Sequence, residues 1–195
     1  MAEKGILVVV SAPSGTGKST VLRRLMEFRE NLAFSVSATT RSPREGDTEG
    51  VDYYFVSREE FDRMIRENAF LEYAEYAGNL YGTPKAAVDA QLAQGRDVYL
   101  DIEVRGAMQV RSQRPDALMI FLMPPSIEEL ERRLVSRGTD PPDVIRRRLA
   151  EAERELGERE KFDHIVVNGG VDAAAQEISK LIDRHKAKQC AASQF

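Results

Sequence analysis

The decapeptide SAPSGTGKST, residues 11–20, follows directly on the apolar run ILVVV at 6–10. How this junction is read decides the fold. Five consecutive aliphatic residues without polar alternation suit a strand buried on both faces, as in a parallel sheet. GILVVVS, 5–11, is therefore predicted as a strand, and a helix is predicted from Lys18 to about Arg29. Between them, Gly15 and Gly17 permit backbone turns that other residues resist. A loop so placed can aim several backbone N–H groups at one anion, and the helix dipole adds to the attraction. The stretch matches the phosphate-loop pattern G-x-x-x-x-G-K-S/T except at its first position, where Ala12 stands in place of glycine. A methyl group is acceptable there if φ stays negative, so the loop is expected to work. Ala12, Pro13, Ser14, Gly15, Thr16, Gly17, Lys18, Ser19 and Thr20 form the expected cradle for nucleotide phosphates. Lys18 would reach the β- and γ-phosphates, and the Ser19 hydroxyl would serve Mg2+.

Outward from the loop, apolar runs alternate with helical patterns. DVYLDIE (97–103), ALMIFLM (117–123) and HIVVN (164–168) are further buried strands, each followed by a helical stretch. The last helix is expected to begin near Asp172, and the tail after Lys186 carries no motif and is expected to fray. The alternation predicts an α/β fold, a parallel sheet flanked by helices in three layers. Two segments break the rhythm. Residues 34–83 hold FSVSATT, DYYFVS and FLEYAEYAG, short strands of a smaller, more antiparallel unit, with one helix opened by the capping box Ser57-x-x-Glu60. Residues 126–159 are helical and charged, opened by Ser126-x-x-Glu129 and interrupted at RGTDPPD, where Gly138, Pro141 and Pro142 force a loop. The expected organisation is one domain over 1–195, with a core of 1–33, 84–125 and 160–195 carrying these two insertions.

A phosphate loop alone does not name a reaction. The discriminating stretch is SVSATTRSPREGDTEGVDYYFVS, 35–57, where Arg41 and Arg44 share a loop with Ser37 upstream and Tyr53 downstream. Guanidinium forks suit a phosphate monoester because each binds two oxygens at once, although a solvated charged turn reads the same way on spacing alone. Together with SGTGKST, FLEYAEYAGNLYGTP, LDIEVRGA, SRGTD, RRRLAEAERE and FDHIVVN, in this order, the chain resembles the guanylate kinases from the phosphate loop to the last strand. The resemblance implies a P-loop kinase fold with a mixed α/β GMP-binding insertion at 34–83 and a helical lid at 126–159. It implies phosphoryl transfer from ATP to GMP with Mg2+, in purine nucleotide metabolism. The family's GMP-phosphate contacts fall on Arg41, Arg44, Tyr53 and Tyr81, and its guanine contacts on Ser37, Glu72 and Thr83. Asp101 matches the acidic residue ending the central strand near the acceptor, and the lid arginines match Arg137 and Arg148.

The chemistry of these residues agrees. Guanine presents N1–H and an exocyclic amine on one edge, and a carboxylate such as Glu72 accepts from both. Adenine lacks that edge and would leave a buried acceptor unsatisfied. A phosphate nucleophile is already ionised and needs no general base, which fits two histidines, His164 and His185, that lie outside every motif. Of the run at 146–148, Arg148 is expected at the site and Arg147 in solvent.

A net charge of −4 offers no global field for a nucleic acid backbone. The lone Cys190 excludes an internal disulfide, and no run approaches a membrane-spanning length, so a cytoplasmic protein is expected. ATP, GMP and by extension dGMP are the expected partners, with homo-oligomers left open. Two rivals share the shape: a protein-binding module without phosphoryl transfer, and a kinase for another phosphorylated acceptor. Gly169 and Gly170 stand where many relatives carry acidic residues after the asparagine, which leaves the adenine-side role of Asn168 open.

Overall fold

The computed structural model describes residues 4–136, 138 and 140–192. Its elements run β1 (Leu7–Ser11), α1 (Lys18–Phe28), β2 (Leu32–Phe34), β3 (Ser37–Thr39), β4 (Tyr53–Phe55), α2 (Arg58–Arg66), β5 (Phe70–Tyr76), β6 (Asn79–Pro84), α3 (Lys85–Ala93), β7 (Asp97–Asp101), α4 (Val104–Gln113), β8 (Leu118–Met123), α5 (Ile127–Ser136), α6 (Pro142–Gly157), a 3-10 turn (Arg159–Lys161), β9 (His164–Val167) and α7 (Val171–Ala192). The larger sheet has the order β2-β7-β1-β8-β9, and the smaller one β4-β3-β6-β5. This is the predicted α/β architecture, a parallel sheet with flanking helices and a second, mixed sheet.

The chain separates into two compact units. One is built from Leu32–Leu100 and Arg105–Ala117 with the N-terminal residues through Leu7. Here β2 pairs in parallel with β7, while β3 pairs in parallel with β4 and antiparallel with β6. The small sheet buries Ala38, Phe70 and Leu80 against Phe61 of α2, and the Phe61 and Phe70 rings stack at 4.4 Å. α2 starts where the capping box predicts, with the Ser57 hydroxyl accepting from Glu60 N–H at 3.1 Å.

The second unit comprises Val8–Asn31, Asp101–Val104 and Leu118 onward. β1 and β9 both pair in parallel with β8, in registers Val8↔Leu118 and Ile120↔His164. Every residue of β1 is buried, as its unbroken apolar run requires. Helix α1 turns Val21, Leu22 and Leu25 inward and packs on α7, whose Ala174, Ala175, Ile178 and Ile182 are buried. Leu130 and Leu134 of α5 form a separate small cluster with Ala152 of α6. The second predicted cap also forms, Ser126 Oγ accepting from Glu129 N–H at 3.2 Å.

Two expectations need correction. FSVSATT is not one strand: Phe34 ends β2 in the larger sheet and Ser37 begins β3 in the smaller. The break falls at buried Ser35, whose N–H is drawn to the Tyr99 carbonyl at 3.2 Å. The tail does not fray at Lys186, since α7 continues through Ala192. Its AKQCAA residues are mostly good helix formers and extend a helix already anchored by packing.

Candidate active site

The loop between β1 and α1 adopts the conformation its glycines allow. Gly15 and Gly17 have φ of 92° and 93°, a region that residues with a Cβ rarely enter. Space is tight as well: a Cβ on Gly15 would lie 2.8 Å from Leu134 Cδ2, and one on Gly17 would lie 3.0 Å from Asn168 Nδ2, so either neighbour would have to shift. Ala12 is buried and has no positive φ, so the missing glycine costs the turn nothing. Lys18 opens α1, and its ammonium group donates to Asp101 Oδ1 at 2.7 Å and to the Ile102 carbonyl at 3.0 Å.

Behind the loop lies a brace. The Thr16 carbonyl accepts from buried Asn168 Nδ2 at 2.7 Å and from an Arg133 guanidinium nitrogen at 3.0 Å. The same guanidinium donates to the Asn168 carbonyl at 3.1 Å and to Glu129 Oε1 at 2.8 Å. The loop carbonyl is thus fixed from both α5 and the end of β9. On α6, Arg148 pairs with Asp140 at 2.8 Å, whereas Arg147 is exposed and only 3.8 Å from Asp143. Half-buried Glu155 has its carboxyl pushed up to about 7, first by burial and then by the charges of Glu103 and Glu151. Lys18 and the Ser14 N–H oppose that rise. Arg137 lies outside the described residues.

In the other unit, Arg41 sits at the centre of an aromatic and acidic group. Its guanidinium lies 5.2 Å from the Tyr53 ring centre and 5.6 Å from that of Phe55, and it pairs with Asp47 at 2.8 Å. Tyr53 and Tyr81 meet edge-on at 5.8 Å. Asp47 also accepts the Arg44 N–H at 2.7 Å, and this bond, with Arg41, holds its carboxyl below the usual carboxylate range. Ser37 starts β3 opposite Tyr53, and the Arg44 side chain is exposed. Glu72 and Thr83 face each other across β5 and β6. Both are buried, at 7% and 1% exposed, and the Thr83 hydroxyl donates to Glu72 Oε1 at 2.6 Å. A carboxylate so buried retains value only if its acceptor capacity is used.

The model of the family described as Guanylate kinase matches residues 4–185. The chain belongs to the guanylate kinase family. It is 49% identical to the guanylate kinase of Lactococcus lactis over 183 residues, covering 94% of this chain and 89% of that one. It is 52% identical to the guanylate kinase of Rubrobacter xylanophilus over 181 residues, 93% and 95% of the two chains. Among solved structures, the crystal structure of guanylate kinase from Anaplasma phagocytophilum superposes with a TM-score of 0.74 at 35% identity, covering 96% and 89%.

Against this family background, the residues singled out from sequence fall into two groups. Ala12 to Thr20 share one unit with Asp101 and Arg148; Ser37, Arg41, Arg44, Tyr53, Glu72, Tyr81 and Thr83 share the other. Asp101, expected beside the acceptor, is the ion-pair partner of Lys18. Sequence reasoning missed Asp47, Phe55, Arg133 and Glu155. Asp47 was open to discovery, because an Asp three residues after Arg44 is placed to close a turn on its N–H. Arg133 gave no signal: its i,i+4 spacing to Glu129 reads as an ordinary helix-surface pair.

Proposed function

We propose that this chain transfers the γ-phosphoryl group of ATP to GMP, giving ADP and GDP, as a guanylate kinase of purine nucleotide metabolism and GMP recycling. The observation that carries the acceptor choice is the buried Glu72 carboxylate held by Thr83. Such a buried carboxylate suits the paired donors of guanine N1–H and the exocyclic amine. Ser37 addresses the rest of the base, and Arg41, Arg44, Tyr53 and Tyr81 take the GMP phosphate. dGMP carries the same base and phosphate and is a second acceptor.

On the donor side, the nest made by Gly15 and Gly17 receives the ATP phosphates at the N-terminus of α1. Lys18, positioned by Asp101, cancels charge on the transferring group, and Arg137 and Arg148 add to it from the lid. The residues also fit Mg2+. Ser19 lies exposed in the first turn of α1, and no cluster of acidic, histidine or cysteine groups among the described residues forms a metal cage. That donor set suits an ion carried mostly by nucleotide phosphates, with the Ser19 hydroxyl as its protein ligand. Bound there, Mg2+ would neutralise phosphate charge. Because the GMP phosphate is ionised near neutral pH, no side chain need act as a base. No helix among the described residues is long and apolar enough to cross a membrane. As an enzyme of nucleotide metabolism, the chain is proposed to act in the cytoplasm.

The test is ADP release from Mg-ATP with GMP, AMP, CMP, UMP or no acceptor, measured side by side. Fast turnover with GMP alone is expected. Preference for another nucleotide would overturn the acceptor assignment, and silence with all of them from folded protein would overturn catalysis.

A further inference from the structure

β5 is an edge strand of the small sheet, so the backbone groups on its outer side need partners from elsewhere. α4 supplies them with two glutamines. Gln109 accepts from Tyr73 N–H at 3.2 Å and donates to the Tyr73 carbonyl at 3.1 Å. Gln113 donates to the carbonyls of Phe70 at 3.3 Å and Leu71 at 2.8 Å. These contacts lie on either side of Glu72 along the strand, so they clamp α4 where the Glu72 side chain emerges.

Gly106, Gln109 and Gln113 lie on one face of α4, three and then four residues apart. A Cβ on Gly106 would lie 2.9 Å from Glu72 Oε2 and 3.5 Å from both Cγ and Cδ. Gly106 does not have a left-handed φ, so its backbone would admit any residue. Space, not conformation, requires glycine here. The carboxylate can move away only at a cost, because it is buried and tied to Thr83 at 2.6 Å.

We infer that Gly106 is a specificity-determining residue: its missing side chain gives the Glu72 carboxylate the room to face guanine while the two glutamines hold α4 close. The inference rests on Glu72 being the guanine reader. A methyl group at 106 moves the carboxylate, and the loss falls on the nucleotide carrying both donors of the guanine edge.

Gly106→Ala and Glu72→Gln are assayed for kcat and KM with GMP, IMP and AMP, and for thermal melting. IMP keeps N1–H but lacks the exocyclic amine. Gly106→Ala should raise the GMP KM by about ten-fold or more, the loss of one charged hydrogen bond. It should also narrow the preference for GMP over IMP and leave the ATP KM unchanged. The melting temperature should fall only slightly, because alanine's preference for the helix offsets part of the strain on the buried carboxylate. Intact selectivity in Gly106→Ala, with selectivity lost in Glu72→Gln, would overturn the inference and leave the Glu72 reading standing. Intact selectivity in Glu72→Gln would overturn that reading and the inference with it. An unfolded Gly106→Ala would put the cost of the methyl group on the backbone instead of the carboxylate, which also overturns it.

Discussion

The brace behind the phosphate loop makes a quantitative prediction, because two donors converge on one acceptor. The Thr16 carbonyl takes Asn168 Nδ2 at 2.7 Å and Arg133 at 3.0 Å, and Thr16 itself is fully buried. Arg133→Ala removes two hydrogen bonds from a charged donor, about 1.5 kcal/mol each at the low end. The partly exposed pair with Glu129 is screened by solvent and adds little. The single change should therefore cost about 3 kcal/mol or a little more. Asn168→Ala removes one bond from a buried amide and should cost about 1–2 kcal/mol. In either variant the carbonyl keeps one donor; in the double variant it keeps neither.

A buried acceptor left without a donor costs about 1–3 kcal/mol, so the double variant should lose at least about 1 kcal/mol beyond the sum of the singles. Urea unfolding of the four proteins reads that coupling, and steady-state kinetics reads its consequence. The ATP KM should rise most in the double variant while the GMP KM stays near its starting value. Additivity within about 0.5 kcal/mol would refute the shared-acceptor reasoning. An equal rise in both KM values would refute the assignment of the brace to the ATP side.

Lys18→Ala should lower kcat by about 10²–10³-fold and leave the GMP dissociation constant unchanged, since the lost charge stabilises the transferring group; Arg148→Ala should show the same pattern. Near-normal turnover in either would sink its role, with stopped-flow turnover and calorimetric GMP titration as the checks. Glu155 gives a pH prediction. Its folded pKa, pushed up to about 7, lies above the ordinary 4.5, so its stabilising contribution is present below pH 4.5 and is lost as pH rises through 7. Glu155→Gln stays neutral, and its melting advantage over the parent should grow by about 1–2 kcal/mol between pH 5 and pH 8. A difference that does not change with pH would refute this.

The sequence determined what local rules govern. The apolar run at 6–10 specified a buried strand, Gly15 and Gly17 specified a turn open to few other residues, and Ser57 and Ser126 marked helix starts that form. It also carried the family, because the motifs stand in order along the chain. Local pattern misled where a strand changes sheets at Ser35 and where α7 outlasts its motif-bearing part. Only the tertiary structure decided which groups share a function. Arg133 and Asn168 meet the Thr16 carbonyl across 117 and 152 residues, and Gly106 clears space for Glu72 from a different element. Helix and strand periodicity report which face of an element is buried. They carry no information on which distant atom that face meets, because hydrogen bonds and close contacts depend on distances set by the packing of the whole chain.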